Sequence, residues 1–295
     1  MRKIFVVWNP ASGGKSRKTV SELSELLQSR NLKFQIFDTH LHKNATGTVR
    51  EQMDSSYTDL IIVGGDGTIN EAINGLSHQI PISIVPTGTG NDFVKMVELG
   101  ATKQEILTTA VDGELSLIDI GLCNDRRFIN GIGIGFDGQI VEEMITKRVP
   151  LLRGHAAYYY HVLRILAGFK ERTFSYKIGD KQYSQKLILL TIGNGSTFGG
   201  GFKLMPEAKI NDGQLEVCEI GPISGLRRFL NISKLSDGTH GSLTAVKFHQ
   251  TKSIKIGQNP LLFGHIDGER LGNPPFEITV ESKAIQLRTK LPLSS

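Results

Sequence analysis

Cysteine is almost missing from this chain: Cys123 and Cys218 are the only two in 295 residues, far apart and without Cys-x-x-Cys spacing. That excludes a disulfide scaffold, a paired-thiolate zinc site and thiol exchange, and makes a reducing cytosol the expected setting. Long apolar runs are missing as well. The N-terminus offers five apolar residues, Ile4 to Trp8, before Asn9-Pro10, fewer than a secretory signal needs. The longest uncharged stretch, 72–91, covers 20 residues but is broken by Pro81, Pro86 and several glycines, which excludes a membrane helix. None of the eight histidines has metal-ligand spacing. His40 and His42 read as loop residues, and His155 and His161 as helix surface or satisfied core. Internal repeats and low-complexity linkers are absent.

Glycine, by contrast, is in excess: 33 residues, where a usual share of about 7% gives roughly 21. The glycines are not periodic, which excludes collagen, and they fall in short clusters, as in loops where backbone approaches a ligand. With 39% hydrophobic and 21% charged residues the chain is ordinary globular protein, long enough for about two domains. Its net charge of +5 is uneven. Residues 1–120 hold 11 basic and 14 acidic side chains, a net of −3; 121–282 hold 20 and 15, a net of +5; the last thirteen add three positive charges. A basic second half suits an anionic partner such as nucleic acid, a phosphorylated metabolite or an acidic membrane surface. Solubility alone explains so small a margin equally well.

Periodicity divides the chain. Strands are predicted over 3–8, 34–39, 59–63 and 82–85, alternating with helices over 16–30, 45–53, 69–76 and 103–111. That alternation predicts a parallel sheet with helices on both faces, whose ligands gather at the carboxyl ends of the strands. Beyond residue 120, strands are predicted over 128–134, 173–178, 186–192, 214–220, 245–250, 253–256, 261–266, 276–280 and 284–288, with helices near 139–146, 155–167 and 223–234. This is a mostly antiparallel β-sandwich. The expected fold is therefore an α/β N-terminal domain, 1–120, and a β-rich C-terminal domain, 121–282, with 283–295 returning to the first.

Gly64-Gly65-Asp66-Gly67-Thr68-Ile69-Asn70-Glu71 follows the buried strand 59–63. A strand ending in glycines and turning into a helix exposes backbone N–H groups at the positive end of the helix dipole, a ready phosphate site. An aspartate there repels phosphate unless Mg²⁺ stands between the two anions, so the motif implies a metal–nucleotide complex. Asn9-Pro10-Ala11-Ser12-Gly13-Gly14-Lys15 and Pro86-Thr87-Gly88-Thr89-Gly90-Asn91-Asp92-Phe93 follow neighbouring strands and complete a three-loop nucleotide site. Gly14-Lys15-Ser16 is not a P-loop, because Asn9 stands where its first glycine belongs. Gly133-Ile134-Gly135-Phe136-Asp137-Gly138 matches the dinucleotide pattern but lacks the later acidic residue, so close helix–sheet packing explains it better.

These loops together resemble the diacylglycerol kinase catalytic-domain family, specifically its soluble bacterial lipid-kinase branch. The glycine–aspartate motif alone also occurs in NAD kinases and phosphofructokinases; the Gly88-Thr89-Gly90-Asn91-Asp92-Phe93 loop is the more specific. The resemblance covers the whole chain, since Pro206-Glu207-Ala208-Lys209-Ile210-Asn211-Asp212-Gly213-Gln214-Leu215 and Asp267-Gly268-Glu269 also match. It implies ATP contacts at Thr39, at Gly65, Asp66, Gly67, Thr68, Ile69, Asn70 and Glu71, and at Thr89. It also implies a structural Mg²⁺ held by Asp212 and the backbone oxygens of Lys209 and Gln214, where a plain Asp-Gly hairpin is the alternative. Glu269 is implied as proton acceptor, Asp267 as its neighbour in the metal network, and Asp66 as the residue beside the Mg²⁺ at the transferred phosphoryl.

The resemblance implies a Mg²⁺- and ATP-dependent kinase acting on a lipid hydroxyl, diacylglycerol giving phosphatidic acid or a related lipid such as phosphatidylglycerol. An NAD kinase-like enzyme and a non-catalytic nucleotide-binding regulator are the rivals. The implied partners are ATP, the lipid and an anionic membrane surface at the cytoplasmic face, without nucleic acid and with a homodimer compatible. Lys147, Arg148, Arg153, Lys170 and Arg172 flank an aromatic helix from His155 onward. Basic flanks suit membrane contact, whereas apolar residues around that helix suit core packing, and both can hold at once.

Overall fold

The computed structural model describes residues 2–12, 14, 16–40, 44–147, 155–199 and 201–293, without the side chains of 155–159 and 167. Gly13, Lys15, His42, Arg148, Arg153 and the side chain of His155, named above, lie outside the described residues. Two compact units emerge: Met1–Ile120 with Glu281–Ser295, and Gly121–Val280. No helix among the described residues is long and apolar enough to cross a membrane.

The first unit alternates strand and helix: β1 (Lys3–Trp8), α1 (Ser16–Ser29), β2 (Lys33–Asp38), α2 (Ala45–Gln52), β3 (Asp59–Gly64), α3 (Asp66–Gly75), β4 (Pro81–Pro86), a 3-10 turn Phe93–Met96, α4 (Lys103–Asp112) and β5 (Glu114–Cys123). Its strands run parallel in the order β2-β1-β3-β4. β3 is buried at every position, as its run Asp-Leu-Ile-Ile-Val-Gly requires of a central parallel strand. Val20, Leu23 and Leu27 turn one face of α1 onto Val6, Ile61 and Val63. Asn44 and Thr102 cap α2 and α4 by accepting the amides of Gly47 and Glu105. α3 begins at Asp66, three residues before the predicted start, so the glycine–aspartate motif forms the helix's first turn.

The sequence pattern also hid β5 and divided one long strand. The predicted strands over 276–280 and 284–288 are a single element, Phe276–Thr289, which starts in the second unit and ends in the first. The polar run Glu281-Ser282-Lys283, with Lys283 at φ 53°, interrupts its alternation. Its end pairs in parallel with β4 through Gln286 and Leu287. Arg288 on that end reaches Asp59, which is 2% exposed, at 2.7 Å, and Arg2 reaches the same oxygen at 2.8 Å. Burial alone pushes the Asp59 carboxyl up, but bonds from Arg2, Thr58 and Arg288 outweigh it and hold the value below the ordinary one.

Asp59→Asn leaves two guanidinium groups without their carboxylate and is expected to cost about 3 kcal/mol at pH 7, read from urea unfolding. Because the folded value is depressed, this stabilisation is present above the unfolded value of about 3.9 and is lost as pH falls through the folded one. The gap between wild type and variant therefore closes in acid. A gap that persists at pH 2 assigns the loss to packing instead.

The second unit contains β6 (Arg126–Phe128), β7 (Gly131–Gly135), α5 (Phe136–Thr146), α6 (His155–Gly168), β8 (Arg172–Ile178), β9 (Lys181–Leu187), β10 (Leu189–Gly193), β11 (Leu215–Ile220), α7 (Gly225–Leu230), α8 (Ile232–Asp237), β12 (Val246–Thr251), β13 (Ser253–Ile256), β14 (Gly264–Ile266), β15 (Glu269–Gly272) and the start of β16 (Phe276–Thr289). One antiparallel sheet runs β12-β11-β10-β7-β14-β15, and a second pairs β9-β8-β13-β16. Phe128, Ile132, Phe174, Leu190, Val217, Ile254 and Phe276 fill the sandwich between them. The predicted strands 128–134 and 186–192 are each divided, at Asn130 and Ile188, and the predicted helix 223–234 is two short helices meeting at Asn231. The glycines of 133–138 serve close packing: a Cβ on Gly138 would strike the Phe263 carbonyl, and one on Gly133 would strike the His265 ring.

Candidate active site

Three loops at the carboxyl ends of β1, β3 and β4 are bonded to one another. Asn9 Nδ2 donates to Thr68 Oγ1 at 3.0 Å, and the Ser12 and Thr87 hydroxyls lie 2.6 Å apart. The Thr87 amide donates to the Gly64 carbonyl at 2.9 Å. Gly65 and Gly88 touch backbone to backbone: a Cβ on Gly88 lies 2.6 Å from Gly65 Cα and 2.8 Å from Asn91 Oδ1. Only glycine permits this approach. Asn91 holds φ 48°, and its Oδ1 is buried with no hydrogen-bond partner among the described residues. Gly14 and Gly67, in contrast, face open space. The result is a cradle without side chains on its floor, under the first turn of α3, whose amides have no carbonyl one turn back. Such a cradle fits the phosphates of a nucleotide.

Asp66 has an occupation that the motif alone did not disclose. Its Oδ2 accepts the Asp92 amide at 2.9 Å and its Oδ1 the Phe93 amide at 3.1 Å, so it braces the β3 loop against the β4 loop. Burial raises its pKa most, the two amides oppose that, and the Asp92 carboxylate nearby raises it further. Lys95 answers part of this charge through its 2.6 Å pair with Asp92. Two carboxylates on bonded loops, with the orphaned Asn91 amide oxygen beside them, are hard oxygen donors of the kind that suit Mg²⁺.

The other expected nucleotide residues separate by role. Thr39 is buried directly after β2, its amide donating to Trp8 at 3.0 Å, and Thr89 is exposed on the β4 loop. Ile69 is fully buried core. Asn70 accepts from the Asn74 amide group at 3.2 Å. Glu71 Oε2 accepts the Ala45 amide at 2.8 Å and so caps the start of α2. The Ile69, Asn70 and Glu71 side chains thus brace helices, and the cradle is built from Gly65 to Thr68.

In the second unit, β14 ends at Ile266 and turns through Asp267 at φ 46° and Gly268 at φ 83° into Glu269. Asp267 is an anchor. Its Oδ2 accepts the Ile129 amide at 2.8 Å, and its Oδ1 accepts the amides of Asn130 and Gly131 at 3.0 and 2.8 Å. Glu269 stands free of that network, about half exposed, with its Oε2 2.6 Å from Arg126 Nη2. Arg126 Nη1 also donates to the Arg270 carbonyl at 3.3 Å. The sequence reading missed Arg126, Asn130 and Asn194. Asn194 donates from Nδ2 to Ile129 at 3.1 Å and from its amide to Asn130 at 2.8 Å. The repeated Asn-Gly pairs 130–131 and 194–195, at ends of adjacent strands, were the available clue.

The expected structural metal loop lies in the same unit. Lys209 and Asp212 are exposed, Gly213 holds φ 73°, and Asp212 Oδ1 accepts the Gln214 amide at 3.0 Å. Burial raises the Glu216 pKa most; the Gln250 bond lowers it, and the nearby carboxylates of Asp212 and Glu207 raise it again. An exposed carboxylate in that field fits a hard cation. Among the described residues no three His, Cys, Asp or Glu side chains are grouped as a metal site, so a cation here would need backbone oxygens as well as Asp212.

Glycine loops braced at the carboxyl edge of a parallel sheet, joined to an antiparallel sandwich that holds an acidic turn, make up a kinase. Residues 3–123 match the diacylglycerol kinase catalytic domain, and 130–289 match the YegS C-terminal NAD kinase beta sandwich-like domain. The chain belongs to the diacylglycerol kinase catalytic-domain family and is a lipid kinase. It is 27% identical over 280 residues to a diacylglycerol kinase of Staphylococcus saprophyticus, covering 93% of this chain and 91% of that one. The diacylglycerol kinase of Bacillus subtilis is 25% identical over 285 residues, covering 94% and 93%. Among solved structures, a diacylglycerol kinase from Bacillus anthracis superposes with a TM-score of 0.71 at 20% identity, over 98% of this chain and 96% of that one. An NAD kinase from Archaeoglobus fulgidus in complex with ATP superposes with a TM-score of 0.54 at 15% identity, over 97% and 92%. The solved structures speak for the fold alone.

Proposed function

We propose that this lipid kinase transfers the γ-phosphoryl group of ATP to the hydroxyl of diacylglycerol, giving phosphatidic acid, with phosphatidylglycerol as a related acceptor. The observation that supports it most is the side-chain-free cradle of Gly65, Gly67 and Gly88, tied together by Asp66, in a chain of this family. ATP phosphates rest on the first-turn amides of α3, with Thr39 and Thr89 at the margins of the same edge. Asp66 and Asp92 would hold the Mg²⁺, which would supply countercharge to the transferred group. Glu269 accepts the alcohol proton as the acceptor oxygen bonds to the γ-phosphorus and the bond from that phosphorus to the β–γ bridging oxygen breaks, releasing ADP. Arg126 orients the Glu269 carboxylate, and Asp267 fixes the turn that carries it. Asp212, with the backbone oxygens of Lys209 and Gln214, would hold a second, structural Mg²⁺. The protein works at the cytoplasmic face of the membrane without spanning it.

Incubation with radiolabelled ATP, Mg²⁺ and either diacylglycerol in detergent micelles or NAD tests the proposal. Label is expected in the lipid phase and to vanish when Mg²⁺ is chelated. Label in NAD alone, or in neither acceptor with ATP binding intact, contradicts it.

A further inference from the structure

α7 carries its polar and apolar faces in reverse. At about 100° per residue, Leu226, Phe229 and Leu230 share one side of this helix and Arg228 takes the opposite one. The apolar side faces solvent: Leu226 is 75%, Leu230 69% and Phe229 37% exposed. Arg228 is the side chain turned inward. It donates to the carbonyls of Leu166 at 3.2 Å and Phe169 at 2.6 Å, at the end of α6, and to Glu171 at 2.6 Å. A cation fastened to carbonyls therefore holds α7, while its large apolar groups are left uncovered. α6, to which it is fastened, exposes Leu163 at 50% and Tyr160 at 43%. Arg164 of α6, flanking these, is paired with Glu143 of α5.

We infer that α7 is the element that inserts into an anionic bilayer, Leu226, Phe229 and Leu230 entering the acyl boundary while Arg227 and Lys234 meet lipid phosphates. This rests on the proposal that the acceptor is a lipid dissolved in the membrane. Charge favours the occupant: Arg227 is exposed, Lys234 follows on α8, and Asp237 is the only acid across the two helices. Apolar tips flanked by long basic side chains suit a headgroup boundary. A second copy of the chain is the weaker fit, because three side chains on a six-residue helix fall well short of the roughly 800 Å² per partner of a stable interface.

Leu226→Gln with Leu230→Gln is the test, by co-sedimentation with phosphatidylglycerol-rich vesicles. Partitioning is expected to fall about tenfold or more, while phosphorylation of detergent-dispersed diacylglycerol stays at the wild-type rate. Both native cysteines are buried, so Leu230→Cys provides one accessible thiol for a polarity-sensitive dye, whose emission is expected to shift blue on anionic vesicles and not on neutral ones. Unchanged sedimentation with an unshifted dye overturns the inference. So does a wild-type dimer that the double variant splits without loss of vesicle binding. If wild type labels no lipid yet binds vesicles through Leu230, this surface stands and the proposed reaction falls.

Discussion

Glu269→Gln is expected to lower kcat for lipid phosphorylation by about 10²–10⁴-fold, the usual contribution of a positioned general base, with the KM for ATP and the unfolding midpoint near wild type. Glutamine keeps the shape of the side chain and removes its capacity to take the alcohol proton. The fold should not notice, because Glu269 is about half exposed and its bond to Arg126 is a surface pair, worth about 0–1 kcal/mol. The contrast with Asp267 two residues earlier makes the result informative. Asparagine there offers one acceptor oxygen to three backbone amides, so Asp267→Asn loses stability along with turnover. A Glu269→Gln enzyme with normal kcat removes the glutamate from the chemistry and leaves the turn as architecture. A variant whose stability falls with its turnover points to a structural role.

Much of the first unit was legible because its cues are local. The nearly all-apolar 59–63 run marks a strand buried on both faces, and each glycine cluster marks a strand end, which locates the carboxyl edge from sequence alone. The start of α3 was placed late because Gly64, Gly65 and Gly67 lower helix propensity just where the helix begins. The roles of Asp66, Asp267 and Glu71 were not legible. Each carboxylate is spent on amides 26 to 138 residues away, and no local pattern reports a partner at that distance. In the second unit, short strands broken by Asn130 and Ile188 read as longer ones because apolar residues continue across the breaks. The helix over 223–234 was legible, but the outward turn of Leu226, Phe229 and Leu230 on α7 was not, because no local pattern tells which face of so short a helix meets solvent.

Gly67→Leu is expected to produce the largest loss of nucleotide binding of any change that leaves the fold intact. A Cβ at Gly67 meets nothing within 4 Å, and leucine is a better helix former than glycine by close to ~1 kcal/mol, so stability should hold or rise. Gly88 cannot serve the same purpose, because a Cβ there strikes Gly65 Cα at 2.6 Å and confounds binding with folding. The leucine side chain would instead occupy the open face of the first turn of α3, where the proposal puts the phosphates. Titration calorimetry of Mg²⁺–ATP into this variant is the decisive measurement. An affinity at least about tenfold weaker, a cost of roughly 1.4 kcal/mol, with an undiminished Tm, is what the cradle requires. Undiminished affinity at the same Tm contradicts it.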